Sequence, residues 1–170
     1  NDLFATLSEV AGHKLPQGAA PDSISFLSLL KNPKGKATRT NLVMQSIGPM
    51  VVRENNWKLC LCPGSGSNGP FAYEPKSEPS WKRALAAYGK KPRNHDELLQ
   101  PPFLQLYDLD ADPGEKNNLA AERPEIVKRL IGLLREQIAN GRSTPGPKLK
   151  NGKEKIHPMQ RVPPFVWKKK

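Results

Sequence analysis

Along the C-terminal half of the chain, Ile126, Val127, Leu130, Leu133, Leu134 and Ile138 recur at the spacing of one helix face. Lys128, Arg129, Arg135 and Glu136 fall largely off that face, so the pattern predicts an amphipathic helix from about Pro124 to Ala139. Pro124 suits its first turn, Glu125 complements the positive end of the helix dipole, and Gly141 suits the stop. Near the start, Leu3, Leu7 and Val10 repeat at helical spacing and Gly12 offers a C-cap, which predicts a first helix. The apolar segment from Asp22 to Leu30 predicts a further helical turn or two.

Between the helices the period changes to two. Strands are predicted at about Thr40 to Gln45, Met50 to Arg53, Trp57 to Cys62 and Leu104 to Asp108. Glu54-Asn55-Asn56 joins the middle pair as a hairpin turn. In the last strand Leu104, Leu106 and Asp108 share one side, and Gln105, Tyr107 and Leu109 the other. Asp112-Pro113-Gly114 then supplies a side-chain acceptor, a fixed φ and a residue free to take φ > 0, which together make a turn. The fold class is therefore α+β: a small antiparallel sheet of about four strands packed by a C-terminal helix. Residues 63–102 form a long Gly/Pro/Ser-rich insertion, with a short helix predicted from Trp81 to Tyr88. Insertions of that length are more often functional, or packed on another domain, than idle.

Composition adjusts this picture in three ways. With 170 residues, 18 of them proline and 13 glycine, the chain can bury a core yet should carry much loop. The net charge of +11 is uneven: residues 142–170 hold nine Lys/Arg against Glu154, a net of +8, with little periodicity and many breakers. They read as a basic, weakly structured tail. Cys60 and Cys62 stand two apart on one strand, so they share a face, cannot easily bridge, and have no further Cys or His at zinc-ligand spacing nearby. No segment reads as a signal peptide or membrane span, and the chain enters its first helix directly from Asn1, as the tail of a longer protein would.

Asp108, Asp110 and Asp112 alternate like the first ligands of an EF-hand loop, but Pro113 stands where that loop needs glycine and Leu119 where it needs a bidentate Glu. They read as turn residues. Of the histidines, His13 follows a helix cap and His157 lies in the tail. His95, beside Arg93 and Asn94 in the insertion, is the candidate for substrate contact.

Four segments taken in order resemble the C-terminal part of the formylglycine-dependent arylsulfatase family. Asp2 to Gly12 resembles the helix that closes that family's catalytic domain, and Asp22 to Leu30 its D-G-x-S-L-x-P-L-L segment. Val51 to Leu59 resembles its R-x-G-x-W-K-L hairpin, and Leu106 to Leu119 its L-Y-D-L-x-x-D-P-x-E-x-x-N-L strand and turn. Gly141 to Gly146 also resembles a tail of some bacterial members. The resemblance implies the C-terminal subdomain of an alkaline-phosphatase-like sulfatase fold. Residues 1–30 would end the catalytic domain, 31–141 would form the subdomain, and 142–170 the tail. It implies a parent that hydrolyses sulfate esters or sulfated polysaccharides with calcium and a formylglycine made from a C-x-P-x-R motif, in the periplasm or secreted. Cys62 is followed directly by Pro63 and no Arg comes after, so that motif is absent, and no catalytic or metal residue carries over. The implied partner is the missing N-terminal catalytic domain. A reading from another class is a non-enzymatic polyanion-binding module, with Phe165 and Trp167 ahead of Lys168, Lys169 and Lys170 as the contact.

Overall fold

The computed structural model describes residues 1–45, 50–62 and 104–152. Its elements are α1 (Leu3–Val10), α2 (Leu27–Lys31), β1 (Asn41–Gln45), β2 (Met50–Glu54), β3 (Trp57–Cys60), β4 (Gln105–Asp108) and α3 (Pro124–Asn140). They divide between two compact units, Asn1–Leu42 with Leu133–Lys155, and Val43–Gly132 with Ile156–Lys170.

The second unit holds the sheet apart from Asn41 and Leu42 of β1; the strand order is β1-β2-β3-β4, and β3 runs antiparallel to both β2 and β4. This is the α+β architecture that the periodicities predict, a four-stranded sheet packed by the C-terminal helix. The register sets Val52 opposite Leu59 and Leu59 opposite Leu106, so these share one face. They are fully buried, as are Leu61 and Leu104. Val127 and Leu130 of α3 are buried too, and Arg129 pairs with Glu54 at 3.0 Å on the same side of the sheet. The opposite face is also covered: Val51, Cys60, Cys62 and Tyr107 form a buried cluster against which Leu109 packs.

The β2–β3 hairpin turns at Asn55, which takes φ +52, a conformation that asparagine tolerates better than most residues. Strand β3 ends two residues earlier than its apolar pattern. Leu61 still donates to the Met50 carbonyl, and the Cys62 carbonyl accepts from the Gln105 side chain.

In the first unit, α1 is tied along one side to the segment before α2. The Ala5 amide donates to Ser23 Oγ at 3.0 Å, Phe26 N–H donates to Thr6 Oγ1, and Thr6 Oγ1 donates to the Asp2 carbonyl. Arg39 grips the Asp2 carboxylate with Nε and Nη2, and Nη2 also reaches the Asp22 carbonyl. Asp2 accepts the Ile24 N–H as well. The Arg39 guanidinium, opposed by burial and assisted by that amide, holds the Asp2 carboxyl below its ordinary 3.8.

Helix α3 stops at Gly141, where φ is +65 and an added Cβ would run into the Leu149 carbonyl. Beyond it, Arg142 folds the chain back on itself by donating to the Thr144 and Pro147 carbonyls and to Thr144 Oγ1. Thr144 Oγ1 donates to the Pro21 carbonyl, Ser143 N–H to Asp22 Oδ1, and Asn151 to the Ile138 carbonyl. The rest of the basic tail, the insertion and the helix predicted from Trp81 to Tyr88 lie outside the described residues.

Candidate functional site

Two of the four segments that carry the family resemblance meet at one place, where the tip of the β2–β3 hairpin abuts the end of β4 and the acidic turn. Asn56 Nδ2 donates to Asp108 Oδ1 at 2.8 Å, and Leu109 N–H donates to the Asn56 carbonyl. Two residue pairs further along the ladder, Lys58 lies opposite Tyr107, and its Nζ reaches Glu115 Oε1 at 2.6 Å. The two side chains of that pair are only 16% and 22% exposed. Glu115 sits at φ +53, so the turn places its side chain at some backbone cost. The Trp-Lys-Leu hairpin and the Asp-Pro-x-Glu turn are thus joined by an ion pair.

Two of the three aspartate side chains of the turn are spent on its backbone. Asp108 Oδ1 accepts the Asp110 and Ala111 amides besides Asn56, and Asp112 Oδ2 accepts Asn117 N–H at 2.7 Å. The Asn56 amide, opposed by burial and helped by the Ala111 and Asp110 N–H groups, keeps the Asp108 carboxyl below its ordinary 3.8. Among the described residues no group of three or more His, Cys, Asp or Glu could hold a metal ion.

Asn118 closes the outer side of β4. Its Oδ1 accepts Leu106 N–H at 2.9 Å and Ala120 N–H at 3.0 Å, its Nδ2 donates to the Leu104 carbonyl, and Leu119 N–H donates to the Leu106 carbonyl. Neither this role nor the Lys58–Glu115 pair is legible from periodicity. The signal that could have found them is the pairing of polar residues within the two quoted motifs.

On the covered face, Tyr107 donates its hydroxyl to Gln105 Oε1 at 2.5 Å, and Gln105 Nε2 donates to the Cys62 carbonyl. Burial pushes the Tyr107 hydroxyl up to about 12. It pushes the Cys60 thiol up to about 12 as well, with Lys58 opposing. A thiol so placed is a poor nucleophile near neutral pH. Cys60 and Cys62 are both buried. The site therefore offers interlocked polar pairs rather than a poised acid, base or nucleophile. His13 is exposed. His95, the candidate for substrate contact, and His157 lie outside the described residues.

No protein-family model matches the chain. It is 34% identical over 134 residues to an N-acetylgalactosamine-6-O-sulfatase from Bacteroides thetaiotaomicron, covering 78% of this chain and 22% of that protein. It is 27% identical over 137 residues to Arylsulfatase K from Xenopus laevis, covering 81% of this chain and 21% of that protein. A solved Bacteroides thetaiotaomicron structure, described under the metabolism of multiple glycosaminoglycans, superposes with TM-score 0.51 at 33% identity, over 79% of this chain and 24% of the other. The chain thus spans about a fifth of the length of the curated relatives it matches.

Proposed function

This chain belongs to the sulfatase superfamily, and on that premise we propose that it is the C-terminal scaffold portion of a sulfatase polypeptide. The observation that carries this reading is the use made of the motif side chains. Lys58, Glu115, Asn56, Asp108 and Asn118 are engaged with one another or with backbone, and so hold the hairpin, the turn and β4 in one piece. Charged groups committed in this way fix geometry; they are not available to attack sulfur or to protonate a leaving group.

The parent family implies calcium and a formylglycine. The described residues fit neither, because the Asp108 and Asp112 carboxylates are engaged by amides and Cys60 is fully buried. The groups that stabilise charge at a sulfate ester belong to the polypeptide this chain does not span. The parent acts on sulfate esters, with a sulfated sugar as the substrate class. That choice rests on the N-acetylgalactosamine-6-O-sulfatase likeness.

The expected result with the isolated chain, an aryl sulfate and millimolar calcium is no release of the aryl alcohol above a no-protein blank. Turnover that a chelator abolishes would overturn the scaffold reading.

A further inference from the structure

The last carbonyls of α3 are closed by the returning chain. Arg142 N–H donates to the Gln137 carbonyl, Gly141 N–H to that of Ile138, and Leu149 N–H to that of Asn140 at 2.8 Å. Asn151 adds its side chain, with Nδ2 on the Ile138 carbonyl at 2.7 Å. All of these residues belong to the first compact unit. Residues 149–151 thus form a strap across the negative end of the helix dipole, and Asn151 is its clasp.

The clasp is followed by glycine. In an Asn-Gly pair the next backbone nitrogen can attack the side-chain carbonyl carbon, because glycine has no Cβ to shield it or to restrict the backbone. The chain has three such pairs, at 68–69, 140–141 and 151–152. The first lies outside the described residues. At the second, Asn140 is the last residue of α3, where helical backbone holds the following nitrogen away from the side chain. Gly141 is also fixed there, with φ +65, its N–H on the Ile138 carbonyl and its Cα against the Leu149 carbonyl. At the third, both residues are exposed and neither belongs to a helix or strand. Among the described residues nothing stands within 4 Å of where a Gly152 Cβ would be. The clasp bond shares its acceptor with Gly141, so it can open without unfolding the helix.

We propose that Asn151 is a self-modifying residue, a deamidation site whose conversion unclasps the strap. The Gly152 nitrogen forms a bond to Asn151 Cγ, the Cγ–Nδ2 bond breaks, and the amide leaves as ammonia with the Gly152 N–H proton. Water then opens the resulting cyclic imide at either carbonyl, leaving aspartate or isoaspartate at position 151. In both products a carboxylate replaces the donor. Oxygen then faces the Ile138 oxygen beside the negative end of α3, and attraction becomes repulsion. Isoaspartate also lengthens the backbone by a methylene, which moves the strap off the helix.

The test ages the full chain in warm, mildly alkaline buffer and follows it by peptide mass mapping, isoaspartyl methyltransferase labelling and brief trypsin treatment. Residue 151 should convert while Asn140 keeps its amide. Tryptic cleavage after Lys148, which is exposed beside the strap, should quicken in step. Gly152→Ala, at a glycine without positive φ and with room for a methyl group, should slow conversion about tenfold and leave the melting temperature unchanged. The aged Gly152→Ala chain should also keep the cleavage pattern of fresh wild type, which ties the change to position 151 rather than to the pair at 68–69. Unaged Asn151→Asp should already be cleaved after Lys148 faster than unaged wild type; if that variant does not fold, aged against fresh wild type carries the comparison. Conversion of Asn140 as fast as Asn151, or an intact Asn151 after a free peptide of residues 148–153 has converted, would overturn the site. Conversion at 151 without faster cleavage after Lys148 would overturn the unclasping.

Discussion

At Asn118 one primary amide meets three backbone groups, the Leu106 and Ala120 N–H donors and the Leu104 carbonyl. Asn118→Ala strands all three. A buried polar group left without a partner costs about 1–3 kcal/mol, and partial solvation softens the sum. Urea unfolding should therefore show a loss of about 2–3 kcal/mol. Asn118→Asp keeps both acceptor roles and should lose less. The role was hidden because Asn118 acts on residues 12 and 14 positions away, and only the completed turn brings them together. Asp2 gives a pH signature in the other unit. Its carboxyl is held below 3.8, so the stability it contributes is complete above about pH 4 and is lost as pH falls through the lowered value. Acid titration of Asp2→Asn should show a shallower decline between about pH 4 and pH 2 than the wild type, from a lower starting stability. An unchanged acid limb would remove Asp2 from the account.

The elements were legible to within a residue or two wherever the apolar period was long. The stripe of α3 predicts an end near Ala139, and the helix runs to Asn140 with Val127, Leu130 and Leu134 buried. Leu130→Ala should lower stability by about 2–5 kcal/mol, whereas Lys128→Ala at an exposed position should change it by less than about 0.5 kcal/mol. Thermal or urea melts of the two variants make the comparison directly. What periodicity did not reveal is coverage. Alternation splits β4 between two faces but does not say that both are buried, and Gln105 and Tyr107 can be buried because each answers the other's polar atoms. In α1 the period located the helix and left its direction open, since the same spacing serves a stripe turned inward or outward. The motif residues were legible as a family pattern before they were legible as contacts. Their pairing across the sheet, Lys58 with Glu115 and Asn56 with Asp108, is a product of strand register.

At the scale of the whole molecule the chain is a member of the sulfatase superfamily with a strong positive charge and strands β3 and β4 buried on both faces. Among the described residues the sheet is not closed, and β1 and β4 lie at its two margins. A bare margin of this kind is a template on which other copies add strand by strand. At the β4 margin Asn118 and Leu119 occupy the Leu104 carbonyl and the Leu106 amide and carbonyl, so a neighbouring chain finds those ladder positions taken. Asn118→Ala should accordingly form thioflavin-binding aggregates on mild warming well before its global melt, while Leu130→Ala at matched stability should precipitate only on unfolding. One asparagine therefore guards the β4 margin against pairing with another copy.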